Sequence, residues 1–270
     1  MTEHNAWFRG KVALVAGASK GIGAATAQAF ARAGASVVIA ARDLQALEAV
    51  AAGIRDQGGE ALAVRTDVGD AGAVEHLVQR TLETFGRLDA AFNNATDGPM
   101  PAPLAEIEVD DFDRGIRANV RGTFLGMKYQ IPAILRSGGG AIVNMASTAG
   151  MRGTSGLSAY VAGKAGIIGL TKVAALDYAD QNIRVNVVAP GPILTHHLQA
   201  AGGEAQRGAA QAVPMRRVGT VDEVSAAVLW LCSEQAAFIT GVVLPIDGGQ
   251  MAGNKPPRMY RPGQGMRPSP

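Results

Sequence analysis

The chain predicts an α/β fold, a doubly wound parallel sheet of about seven strands covered by helices on both faces. Three observations lead there. Short β-branched runs recur between longer Ala-rich segments, a glycine-rich turn separates the first run from the first helical segment, and no shift in composition divides the first 250 residues. Fully apolar strands that alternate with helices read as strands buried on both faces.

The runs come in order: "VALVAG" from 12, "SVVIAA" from 36, "ALAVRTDV" from 61, "LDAAFNNA" from 88, "AIVNMAS" from 141, "IRVNVVAP" from 183 and "GVVLPIDGG" from 241. Each is short, apolar and bounded by turn residues, as a buried parallel strand should be. The segments between them, about 21–33, 44–57, 71–85, 111–136, 158–180 and 222–232, carry helix formers with apolar residues at helical spacing. One domain is expected over 1–250. The long connection between the last two strands, about 192–217, reads as a substrate lid rather than a plain linker. The Pro- and Gly-rich end, 251–270, reads as an extended arm, disordered or lying at an oligomer interface.

Composition narrows the function. The chain has 270 residues, 47% hydrophobic and 18% charged, with a net charge of +2. That is enough apolar material for a large core. No basic stripe interleaved with aromatics suggests nucleic acid. No apolar run is read as reaching the ~20 residues that cross a bilayer, and the lone Cys232 sits in "AAVLWLC" as a buried thiol. A cytoplasmic protein with no nucleic-acid or membrane partner is expected. The adjacent His196 and His197 have no acidic or Cys cluster beside them, so no metal site is expected; they read as pocket or surface residues.

In the turn "GASKGIG", Gly17, Gly21 and Gly23 allow a tight turn, close approach of backbone to a pyrophosphate and close helix packing. The free N–H groups of the helix start attract the anion. This is a Rossmann-like phosphate turn. In "SAYVAGKAG", Tyr160 and Lys164 stand one helical turn apart, where an ammonium would favour the phenolate. Taken alone, that pair reads more readily as a lysine stem lying along a ring.

Together with Asn93-Asn94-Ala95 after the fourth strand, Ser147 thirteen residues before Tyr160, the turn "PGPILT" and the closing "DGG", these motifs make the chain resemble the short-chain dehydrogenase/reductase family over nearly everything to residue 250. The resemblance implies a general acid/base role for Tyr160, a hydrogen bond from Ser147 to the substrate oxygen, and a Lys164 that lowers the phenol and holds the nicotinamide ribose. It implies that Asn119 bends its helix and anchors a water linking Lys164 to solvent. It assigns the cofactor to Gly17, Ser19, Lys20, Gly21, Ile22 and Gly23 in the turn, to Asp67 and Val68 at the adenine, to Asn93 and Ala95 at the fourth strand, and to Pro190, Gly191, Ile193 and Thr195 along the nicotinamide and phosphates. The sequence departs from the family pattern at Thr96, where a glycine is usual.

An enzyme selective for NAD ends its second strand with an acid that binds the ribose hydroxyls. Here Ala41 holds that place and Arg42 follows, so NADP(H) is expected over NAD(H), with Arg42, Ser19 and Lys20 on the 2′-phosphate. In the competing reading Arg42 is solvated and Asp43 caps the next helix or takes the acid's part. The expected reaction is hydride transfer between NADP(H) and a ketone or secondary alcohol, as in carbonyl or 3-oxoacyl-carrier-protein reductases. The alternatives are an NAD-dependent dehydrogenase of a small cyclic or sugar-like alcohol, or a silent nucleotide-sensing regulator. By resemblance, a homo-oligomer, tetramer or dimer, forms through the fourth and fifth long helices and the C-terminal region.

Overall fold

In the computed structural model, which describes residues 7–253, seven parallel strands form one sheet in the order β3-β2-β1-β4-β5-β6-β7. They are β1 (Val12–Ala16), β2 (Ser36–Ala41), β3 (Ala61–Arg65), β4 (Ala90–Asn93), β5 (Gly140–Met145), β6 (Ile183–Pro190) and β7 (Val243–Ile246). The call on the 251–270 arm falls, beyond Gly253, outside the described residues.

Successive strand residues face opposite sides. Ala13, Val15, Val37 and Ile39 join a core with Phe30, Leu47 and Leu231, under α1 (Gly21–Arg32), α2 (Leu44–Arg55) and α9 (Val221–Cys232). Leu14, Val38 and Ala40 join the opposite core with Leu77, Ile131 and Ala175, under α3 (Ala71–Phe85), α5 (Gly122–Arg136) and α6 (Ser158–Tyr178). Helix starts are set by short polar residues: Asp43 accepts from the Ala46 N–H at 3.0 Å, and Asp70 from the Ala73 N–H at 2.7 Å. Asp43 therefore caps α2.

Two sequence expectations are corrected, and the 192–217 segment gains detail. The helix expected over 111–136 is α4 (Val109–Ile116), a π-helical turn Arg117–Arg121, and α5. The 192–217 segment is helical for much of its length, as α7 (His196–Ala200) and α8 (Gly202–Gln211). Its feet are tied together by an Ile193–Gly219 bridge, with the Leu194 N–H on the Gly219 carbonyl at 2.8 Å. Finally, Ser158–Gln181 is long and apolar enough to cross a membrane by length and composition alone. It instead packs on β6 and α4, burying Lys164, Ile167 and Thr171 on that face and leaving Val173 and Leu176 exposed on the other.

The strand order reverses beside β1: the chain runs outward to β2 and β3, then returns to place β4 on the other side. Such a switch leaves a crevice at the carboxyl ends of β1 and β4, where ligands of doubly wound sheets bind.

Candidate active site

A cavity of about 610 Å³ opens at that crevice. One end is the turn after β1. Gly17 has φ +83°, and a Cβ there would lie 2.6 Å from the Ala95 nitrogen; a Cβ on Gly23 would lie 2.1 Å from the Gly17 carbonyl. Both glycines are needed by the protein's own packing. Helix α1 starts with no side-chain cap and no acidic residue in its first turn, so its first N–H groups and Lys20 face the cavity as an anion site. That donor set fits a dinucleotide diphosphate.

Along the cavity lie Ser19, Ile22, Arg42, Asp67, Val68, Ala95, Pro190, Gly191, Ile193 and Thr195. Gly23 and Asn93 are not on its wall. The Asn93 side chain is buried, donating to Gln130 at 3.0 Å and Asn144 at 2.9 Å. The expectation that Asn93 holds backbone near the cofactor therefore passes to its neighbour: Asn94 donates to the Gly17 carbonyl at 2.9 Å and lines the cavity. Adjacent residues at a strand end face opposite sides, and the register that pairs Asn93 with Asn144 turns Asn93 inward.

The far end carries Ser147, Tyr160 and Lys164. Ser147 follows β5 with an extended backbone, and its oxygen accepts from the Ala149 N–H at 3.1 Å. Tyr160 stands in the first turn of α6, and Lys164 one turn later. All three line the cavity. Lys164 is 1% exposed, and burial pushes its ammonium down to about 7. It donates to the Met145 carbonyl at 2.9 Å, with its nitrogen 5.5 Å from the centre of the Tyr160 ring. The expected lowering of the phenol is not what this arrangement gives. Burial raises Tyr160, with Ser147 pulling the other way.

Asn119 is fully buried in the π-turn. Its amide donates to the Gly115 carbonyl at 2.9 Å and the Asp97 carbonyl at 2.8 Å, and its oxygen accepts from the Thr96 hydroxyl at 2.9 Å. A side chain that takes the carbonyl four residues back competes with the regular ladder, so the helical deviation expected at Asn119 takes the form of a π-turn. Thr96, in the usual glycine's place, is accommodated by giving its hydroxyl to this amide.

A family model described as enoyl-(acyl carrier protein) reductase matches residues 17–251. The cyclohexanol dehydrogenase of Acinetobacter sp. (strain SE19) is 42% identical over 241 residues, 89% of this chain and 95% of that protein. An A-factor type gamma-butyrolactone 1′-reductase (1S-forming) of Streptomyces virginiae is 40% identical over 253 residues, 92% and 98% of the two chains. The crystal structure of levodione reductase superposes with a TM-score of 0.86 at 35% identity, over 92% of this chain and all of the other. The chain belongs to the short-chain dehydrogenase/reductase family. It is an oxidoreductase of alcohol and carbonyl groups, and the family uses nicotinamide dinucleotides.

In this short-chain dehydrogenase/reductase, sequence reasoning missed several residues of the site. Arg117 pairs with Asp67 at 2.9 Å. Burial raises the Asp67 carboxyl, but the Gly69 N–H and Arg117 outweigh it and hold the group below its ordinary value. Asp97 pairs with Arg42 at 3.1 Å. Gln130 closes the buried amide network beneath the crevice. His196 lines the cavity with both ring nitrogens buried and, among the described residues, without a hydrogen-bond partner; burial, His197 and Lys20 push it down. Of these, His196 had already read as a pocket or surface residue and Asn94 was visible as the second member of the Asn-Asn pair, whereas Arg117, Asp97 and Gln130 carried no signal.

Proposed function

We propose that the enzyme interconverts a cyclic ketone and its secondary alcohol, with NADP(H) preferred over NAD(H). The observation that carries the reaction is the meeting of Ser147, Tyr160 and Lys164 on one wall of a cavity that begins at the uncapped start of α1. The ring-shaped substrate is supported by the cyclohexanol dehydrogenase and levodione reductase among its relatives. These also support it over a carrier-protein-linked substrate.

When bound, the nicotinamide supplies or accepts the hydride. In the reducing direction the Tyr160 phenol gives its proton to the carbonyl oxygen, and Ser147 donates a hydrogen bond to the same atom as charge develops there. A phenol held neutral by burial is in the right state to donate. Lys164, poised near neutrality and buried beside the ring, stabilises the phenolate that remains and has a proton to return. In oxidation the same groups act in reverse. Asn119 holds the π-turn against α6, where a Cβ on Gly163 would lie 2.9 Å from the Asn119 Cβ.

For the cofactor, Ala41 leaves room beside the ribose, and Arg42 lines the same end of the cavity. Steady-state assays with NADPH and NADH against cyclic and open-chain ketones test both readings. A higher kcat/KM with NADPH and with rings is expected; a higher value with NADH overturns the cofactor reading. Arg42 is two-thirds exposed, so Arg42→Ala should weaken NADPH by about 10-fold, the low end for a charge-assisted bond.

We infer self-association through α5 and α6, a reading supported by the exposed Phe124, Val173 and Leu176. The cytoplasm is the assigned location, supported by the free, buried Cys232, whose thiol burial pushes up to about 12.

A further inference from the structure

We propose that Asp97 sets how strongly this enzyme discriminates between NADP(H) and NAD(H), by holding Arg42 away from a 2′-phosphate. The inference rests on the reading of Arg42 as the phosphate clamp and adds its intramolecular competitor.

Arg42 follows β2 and Asp97 follows β4, and β1 lies between those strands. Their 3.1 Å ion pair therefore bridges the crevice above β1, and both residues line the cavity. A dinucleotide held by the start of α1 at its diphosphate and by Asp67 and Val68 at its adenine would bring its adenosine ribose to the end of the cavity that Arg42 and Asp97 line.

The two partners are held very differently. Arg42 has an exposed side chain, and among the described residues its one salt bridge is to Asp97, with the Asp67 carboxylate attracting it through space. Asp97 is pinned. Its other carboxylate oxygen accepts from the Gly98 N–H at 2.9 Å, its backbone carbonyl accepts from Asn119 at 2.8 Å, and the preceding Thr96 donates to Asn119 at 2.9 Å. Asn119 is itself fully buried. The remaining carboxylates at this end are occupied, Asp43 by the α2 N–H groups and Asp67 by Gly69 and Arg117.

An arriving 2′-phosphate must take Arg42 from Asp97, and Arg42 is free to turn. Asp97 is not, so its carboxylate stays beside the phosphate. Competition and like-charge repulsion both penalise NADP(H). A ribose with free hydroxyls meets instead a fixed acceptor and a neutralised guanidinium. Thr96 thus has a reason to replace a glycine: through Asn119 it holds the Asp97 loop in place.

The test is calorimetric binding of NADP⁺ and NAD⁺ to wild type, Asp97→Asn and Arg42→Ala, with no turnover involved. Asp97→Asn keeps the Gly98 hydrogen bond and removes only the charge; Asp97→Ser serves should the amide destabilise the loop. The NADP⁺ dissociation constant should fall by about three- to tenfold in either variant, the range of a partly exposed ion pair plus relieved repulsion, with NAD⁺ unchanged or weaker. If Arg42→Ala weakens NADP⁺ but Asp97→Asn leaves it unchanged, or strengthens both dinucleotides equally, the role of Asp97 is refuted and the clamp stands. If Arg42→Ala leaves NADP⁺ binding intact, the clamp reading fails and takes this inference with it.

Discussion

Lys164→Met should make the protein more stable at pH 7 while destroying its activity. The ammonium is 1% exposed and drops from 10.5 to about 7 through burial, which corresponds to about 5 kcal/mol of disfavour for the charged form in the folded state. The sign follows from proton binding. Between pH 7 and 10.5 the unfolded chain holds the Lys164 proton and the folded one releases it, so wild-type stability rises with pH at up to about 1.4 kcal/mol per pH unit. Below pH 7 both states are protonated and the whole cost is present; at pH 7 about 4 kcal/mol of it remains. Methionine keeps an unbranched stem and removes the charge, but leaves the Met145 carbonyl without its donor, a loss of roughly 1–3 kcal/mol. The net gain at pH 7 is about 1–3 kcal/mol, or several degrees in Tm for a chain of this size. Urea unfolding of both proteins at pH 7 and 9.5 measures it. The advantage of the variant should shrink by about 3 kcal/mol between the two values, because the wild type recovers what burial had cost. A variant less stable at pH 7, or a difference that does not move with pH, would refute the account of Lys164 as a buried charge tolerated for chemistry.

Tyr160→Phe keeps the ring and deletes the transferable proton, so turnover should fall by roughly 10² to 10⁴ with cofactor affinity little changed; turnover within a few-fold of wild type removes Tyr160 from the mechanism. The segment 192–217, tied at its feet by the Ile193–Gly219 bridge and broken at Gly202 with φ +85°, should be the first site of limited proteolysis and be protected by cofactor plus a cyclic ketone. Equal cleavage with and without ligands argues against a closing lid. Arg184 donates to the carbonyls of Leu231 at 2.6 Å and Ser233 at 3.0 Å, in the last turn and just beyond the end of α9. Arg184→Met should therefore cost about 2–3 kcal/mol in chemical unfolding, the penalty of stranded acceptors, with kcat preserved.

The sheet and its helices were legible because a strand covered on both faces is apolar along its whole length, and some helices are delimited by a local device, such as Asp70 capping α3. Ser147, Tyr160 and Lys164 stood out through their spacing within an ordered set of motifs, since the pair one helical turn apart is ambiguous by itself, and the fold brings all three to one cavity. The helices of the 192–217 segment were not legible because glycine is a poor helix former; the bridge at its feet closes it into a short excursion that α7 and α8 fill. Whether Asn93 or Asn94 meets the cavity was decided by the register of β4 on β5, and the charge state of Tyr160 and Lys164 by how completely α6 is covered. The pairing of Arg42 with Asp97 joins residues that only the strand order β2-β1-β4 brings to one crevice. Sequence by itself determined which elements form and which groups can react; tertiary structure decided which charges meet and how far water is excluded from them, because pairing and burial depend on segments far apart in the chain.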